Sequence, residues 1–172
     1  MATHDITCSI NLSGQSLGDE RFLGFLSEQL HGSGIEPSRI CFEVTETAAI
    51  ANFDKAVAFM HRLRDRGCRF ALDDFGSGLS SFGYLKSLPV DFLKIDGVFV
   101  RQVDRNPIDH AMVAAINNIG HEMGIQTVAE FVESDAIRAR VKAIGVDFGQ
   151  GFGIAEPCAV HEYLAPNARR MN

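Results

Sequence analysis

The sequence has no CxxC pair, no long run of lysine or arginine, no low-complexity segment and no Pro/Gly-rich linker. No apolar stretch approaches the ~18 residues of a spanning helix, and no signal-peptide pattern opens the chain. Each absence removes a class of function. Four cysteines, at 8, 41, 68 and 158, with no CxxC pair among them, read as reduced thiols in a cytoplasmic protein. Cys8, Cys41 and Cys68 stand near strand starts, where cysteine behaves as a small buried hydrophobe. A formal charge of -6 argues against a nucleic-acid polymer or an anionic membrane as partner, though not against a small phosphate ligand held through metal ions. With 172 residues, 46% of them hydrophobic, 1–172 reads as a single domain with a sizeable core.

What is present alternates between helical and strand-length patterns. Phe22, Leu23, Leu26 and Leu30 stripe a first helix. Ala56, Phe59, Met60 and Leu63 stripe a second, with Asn52 as its cap and Gly67 as its stop. Asn106 and Pro107 open a third, with Met112, Ile116, Ile119 and Met123 as its apolar stripe, and a shorter helix runs from about Ser134 to Gly145. Between them lie "ITCSIN", "RICFEV", "RFALDD", "DFLKID", "QTVAE" and "VDFGQG", with a short last strand expected near Gly153–Ala155. Such alternation implies an α/β fold of parallel strands covered on both faces.

Each run carries a polar group at or near its C-terminal end: Asn11, Glu43, Asp73 with Asp74, Lys94, Glu130 and Gln150. In a closed parallel barrel all strand C-termini meet at one mouth, where active sites form. Convergence would set four carboxylates against one cation, Lys94. Like charges ~4 Å apart repel by roughly 4 kcal/mol per pair at an intermediate dielectric. Two divalent cations balance that charge, and hard oxygen ligands, one an Asn carbonyl, suit Mg²⁺ or Mn²⁺. The adjacent Asp pair suits two metals ~3.5–4 Å apart, a site chemistry that favours phosphate-ester hydrolysis.

"INLSGQSL", "FEVTET", "ALDDFGSGLSSFGYLKSLPVDFLKID", "VAEFVES" and "QGFGIAEP" resemble, in order and spacing, successive motifs of the EAL-domain cyclic di-GMP phosphodiesterases, from about residue 6 to 157. The resemblance implies a (β/α)8 TIM-type barrel that opens cyclic di-GMP to linear pGpG with Mg²⁺ or Mn²⁺. Carried over, Asn11, Glu43 and Asp73 bind one metal, and Asp73, Asp74 and Glu130 serve the other. Lys94 positions the attacking water or stabilises developing charge, while Glu130 also has the place of a proposed general base. Glu46 matches the anchor of the "DDFGSG" loop, and Glu133 and Gln150 match supporting active-site positions. The resemblance further implies a part of a larger bacterial signalling protein.

Three departures qualify it. The namesake Glu-Ala-Leu segment, with a metal-binding glutamate and a nearby substrate-holding arginine, should lie on a strand before "ITCSIN" and is absent. The barrel is therefore expected to be incomplete at its N-terminal first strand, with exposed edges that favour pairing with another chain, as in a homodimer. Phe131 stands where the family usually has glycine, and Glu156 where a neutral or basic residue is commoner. The alternative is a catalytically impaired EAL domain acting as a cyclic di-GMP receptor or signalling scaffold.

Overall fold

Helix boundaries follow from short polar caps and left-handed glycines. The computed structural model describes residues 6–77, 83–159 and 161. In chain order the elements are β1 (Cys8–Leu12), α1 (Glu20–Ser33), β2 (Ile40–Thr45), α2 (Glu46–Ala51), α3 (Phe53–Arg64), β3 (Arg69–Phe75), β4 (Phe92–Ile95), α4 (Gly97–Val100), α5 (Pro107–Glu122), β5 (Gln126–Ala129), α6 (Asp135–Ile144) and β6 (Phe148–Gly149). Asp19 caps α1 by accepting from the amides of Arg21 and Phe22, and Ser134 caps α6 by accepting from Ile137. Asn106 caps α5 through Ile108, with Pro107 in the first turn where no amide is needed. Asn52 occupies the cap position of α3, but its side chain makes no capping bond.

The six strands form one parallel sheet in the order β1-β2-β3-β4-β5-β6, so each connection moves one place along the sheet. Phe42, Phe70, Leu72, Phe75, Leu93 and Ile95 are almost fully buried, and the rings of Phe42 and Phe70 lie 5.6 Å apart. Phe59, Met60 and Leu63 of α3 close over the same core. Among the described residues the sheet is not closed: β1 and β6 are its two edges.

Several expectations change here. Residues 153–155 form a turn rather than a strand, with the amides of Ile154 and Ala155 donating to Gly151 O at 2.9 and 3.1 Å. Edge strand β1 is not covered on both faces; Cys8, Ser9, Ile10 and Asn11 are exposed. Cys8 is therefore a surface thiol, like Cys158, whereas Cys41 and Cys68 are buried. Burial, reinforced by the charges of Glu43 and Asp91, pushes the Cys41 thiol up to about 12, and burial raises Cys68 as well. The buried seam of α5 runs through Val113, Ile116, Asn117 and Gly120, leaving Met112 exposed. Polar Asn117 faces inward because it meets the Thr127 hydroxyl at 2.6 Å, and a Cβ at Gly120 would lie 2.9 Å from the Thr127 methyl.

That contact belongs to a polar knot at the start of β5. Asp147 Oδ2 accepts from the Thr127 amide at 2.7 Å and lies 2.8 Å from His121 Nε2. Burial would raise the Asp147 carboxyl, but the Thr127 amide, His121 and the Thr127 hydroxyl outweigh it and hold it below its ordinary value. A depressed carboxyl contributes stability above its unfolded pKa of ~3.9 and loses it as pH falls through the folded value. Asp147→Ala is expected to cost about 1–3 kcal/mol at pH 7, because a β5 amide loses its partner. Urea unfolding at pH 7 and in strong acid checks this, since the difference from the parent should shrink in acid.

Candidate active site

The site is assembled from four neighbouring strands, and Lys94 is its hub. The side chain of Lys94 is only 5% exposed, and Nζ lies 2.9 Å from Glu43 Oε2, 2.8 Å from Asp73 Oδ1 and 2.9 Å from Glu130 Oε1. Glu43 comes from β2, Asp73 from β3, Lys94 from β4 and Glu130 from the residue after β5. Burial alone would lower the Lys94 pKa, but the close contacts of Asp73, Glu43 and Glu130 more than reverse that and leave it above the usual lysine range. Glu130 is raised, by burial first and by Asp73 and Asp74, against the opposing pull of Lys94.

Asp74 reaches this cluster through a backbone irregularity. In a regular strand, successive side chains point to opposite faces. Asp74 would then share the face of Leu72, which is fully buried. The β3–β4 register instead shifts between Leu72 and Phe75, and Asp74 takes φ 56. Aspartate tolerates this left-handed conformation better than most residues. As a result, oxygens of Asp73, Asp74 and Glu130 all lie within 4.8 Å of one another. The Asp74 carboxyl is raised by burial and then by the charges of Asp73 and Asp96, with Lys94 opposing.

The remaining expected site residues divide. Asn11 lies directly across the β1–β2 ladder from Glu43, on the exposed edge. Glu46 is buried, and its carboxylate accepts from the Gly76 amide at 3.2 Å and from the Tyr84 hydroxyl. Those two partners bracket residues 78–82, the part of the "GSGLSSF" stretch that lies outside the described residues. Gln150 and Glu133 are not in the ammonium cluster. With Glu130, Phe131, Gly151 and Phe152 they line an adjoining cleft of about 210 Å³. Glu133 faces Arg101 Nη1 at 3.7 Å, and Glu156 is exposed.

Phe131 sits at φ 52, a conformation costing roughly 1–2 kcal/mol for a residue with a Cβ, so glycine there would be unstrained. Sequence reasoning did not single out Asp96, which caps α4 through the Val98 amide, or Arg101, whose guanidinium carbon lies 4.0 Å from the Phe131 ring centroid. Asp96 was legible in principle, because it directly follows "FLKI". Nothing in sequence marks Arg101, which meets Phe131 only in three dimensions.

The donor set suits a hard divalent cation. Four carboxylates against one ammonium leave a formal charge of −3 in one mouth. Asp73 Oδ1 is a buried carboxylate oxygen held by the Lys94 ammonium at 2.8 Å, with lone-pair capacity left for a cation. An all-oxygen set of converging carboxylates is what magnesium, manganese or calcium bind.

Comparison with known proteins points to one family. The family model described as "EAL domain" matches residues 1–157. The cyclic di-GMP phosphodiesterase PdeB of Shewanella oneidensis is 45% identical over 167 residues, covering 97% of this chain and 20% of that protein. The cyclic di-GMP phosphodiesterase PdeA of Borreliella burgdorferi is 40% identical over 144 residues, 84% of this chain and 22% of its own length. The chain thus spans about a fifth of the length of these curated relatives. Among solved structures, the PaMucR phosphodiesterase–c-di-GMP complex superposes with a TM-score of 0.88 at 31% identity, covering 95% of this chain and 66% of that one. A manganese/cy-diGMP complex of Klebsiella pneumoniae BlrP1 gives 0.82 at 33% identity, with 88% of this chain and 39% of that chain covered.

Proposed function

The chain belongs to the EAL-domain family, and on that premise we propose that it is the phosphodiesterase domain of a larger cytoplasmic signalling protein, hydrolysing cyclic di-GMP to linear pGpG with two Mg²⁺ or Mn²⁺ ions. The observation that carries this reading is the convergence of Glu43, Asp73 and Glu130 on Lys94, with Asp74 swung into the same mouth. A cyclic dinucleotide carries two phosphodiester charges, and a mouth of formal charge −3 would repel it unless cations stood between.

Asn11, Glu43 and Asp73 would hold one cation, and Asp73, Asp74 and Glu130 the second. Bound there, a divalent cation polarises a phosphoryl oxygen and eases the ionisation of water. The protein's own groups do the rest. Lys94 Nζ is an anchored donor that can orient the attacking water or stabilise charge developing on the phosphoryl oxygens. Glu130, whose raised carboxyl accepts a proton more readily than an ordinary glutamate, has the properties of a general base. Gln150 and Glu133, in the adjoining cleft, would orient the dinucleotide, and Glu46 would hold the loop after β3.

Chromatography of cyclic di-GMP incubated with the protein tests the reading. The expected result is pGpG formed with Mn²⁺ and none after chelation. Binding without turnover would select the receptor reading instead, and neither binding nor turnover would reject both.

A further inference from the structure

Phe131 is held in an unfavourable conformation beside the most buried carboxylate of the Lys94 cluster, and its surroundings show what holds it. The backbone is pinned on either side: the Glu130 amide donates to Ile95 O at 3.2 Å, and the Val132 amide donates to Gln150 O at 3.0 Å. Between these pins the ring folds back onto the β4–α4 junction. A Cβ built on Gly97 would lie 2.1 Å from Phe131 Cδ2, so only glycine at 97 admits the ring. Arg101, one turn further along the chain, covers the ring with its guanidinium and reaches Glu133. Gly97 stands three residues after Lys94, and Phe131 one residue after Glu130. The ring therefore ties together the two backbone segments that present the Lys94–Glu130 ion pair.

We propose that Phe131 is a positioning residue for Glu130: its ring, seated on Gly97 and covered by Arg101, clamps the loop after β5 to the β4–α4 turn and fixes the Glu130 carboxylate against Lys94. The clamp replaces the conformational freedom of a glycine with a side-chain anchor. Its part in catalysis rests on the reading of Glu130 given above, whereas the clamp itself is a property of the backbone.

Three variants of the whole chain test it: Phe131→Ala, Phe131→Gly and Phe131→Tyr. Amide hydrogen exchange at Glu130 and Val132 should accelerate about tenfold in the Ala and Gly variants, as local opening becomes easier, and stay at the parent rate in the Tyr variant. The Phe70 amide, bonded to Asp91 on the far end of the sheet, serves as the unaffected control. In assays with Mn²⁺, the Ala and Gly variants should lose about tenfold in kcat with KM within about twofold, the signature of a displaced catalytic group. The glycine variant decides between explanations. It relieves the positive φ, so if residue 131 mattered only through strain, glycine would equal or exceed the parent. Parent-like exchange and turnover in Phe131→Gly, or unchanged exchange in Phe131→Ala, would overturn the clamp. A parent protein that neither binds Mn²⁺ nor turns over would remove the reading of Glu130, and exchange alone would then decide the clamp.

Discussion

Lys94→Ala is expected to cut kcat by roughly 10²–10⁴, the range for a positioned proton-transfer group, with cyclic di-GMP binding largely kept. The side chain has two roles that this substitution separates. As a counter-ion it neutralises part of a buried acidic cluster, and its loss leaves Glu43, Asp73 and Glu130 facing one another without the ammonium that each now touches. Breaking a buried charge cluster in this way typically costs about 3–5 kcal/mol. That cost appears in the thermal midpoint without metal, and Mn²⁺ should recover much of it by supplying positive charge at the same carboxylates. As a catalytic group Lys94 contributes something added charge cannot replace, a donor at one fixed point. The informative measurement is therefore kcat of the folded, Mn²⁺-loaded variant. Near-parental turnover there would confine Lys94 to charge balance.

Much of this site was legible in sequence because strand ends in a parallel barrel share one mouth. Glu43, Asp73, Lys94 and Glu130 could be placed together from their positions at the ends of apolar runs, and the structure brings the three carboxylates within 2.8–2.9 Å of Lys94 Nζ. What sequence could not supply was the side on which neighbouring residues emerge. Asp74 joins Asp73 only because β3 breaks register after Leu72, and no residue type in "ALDDFG" signals that shift. Edge effects were hidden for a similar reason. "ITCSIN" is as apolar as an inner strand, yet β1 has a strand on only one side, so Cys8 and Ile10 are exposed. The α5 stripe was right at Ile116 and at Met123, which packs against the core, but it missed the polar Asn117, buried through its bond to Thr127, a contact that apolar periodicity cannot register.

Asp74→Asn is expected to make the metal-free protein more stable while removing its capacity to bind Mn²⁺ and to turn over substrate. Asparagine keeps the size of the side chain and tolerates the φ of 56 at this position, so the bulge should survive. Only the charge is removed. The Asp74 carboxyl is raised by burial and by the neighbouring charges of Asp73 and Asp96, which means that its ionised form is disfavoured by folding. A raised carboxyl lowers stability as pH climbs from the unfolded value of ~3.9 through the folded one, and the penalty persists at pH 7. Removing the charge should therefore raise the thermal midpoint at pH 7, and the gain should vanish below about pH 3.9, where both states are protonated. The loss on the metal side should be larger. Outer-shell partners alone are worth about 10–100-fold in metal affinity, and Asp74, proposed above as a direct ligand, lies within 4.8 Å of two other carboxylates, so Mn²⁺ affinity should fall by at least that much. Calorimetric titration with Mn²⁺, paired with thermal melts across pH, reads both effects in one protein. A stability gain with parental Mn²⁺ affinity would show that the acidic mouth is strained without serving a metal. A stability loss would mean that Asp74 is held by favourable contacts that outweigh the burial and repulsion raising its carboxyl.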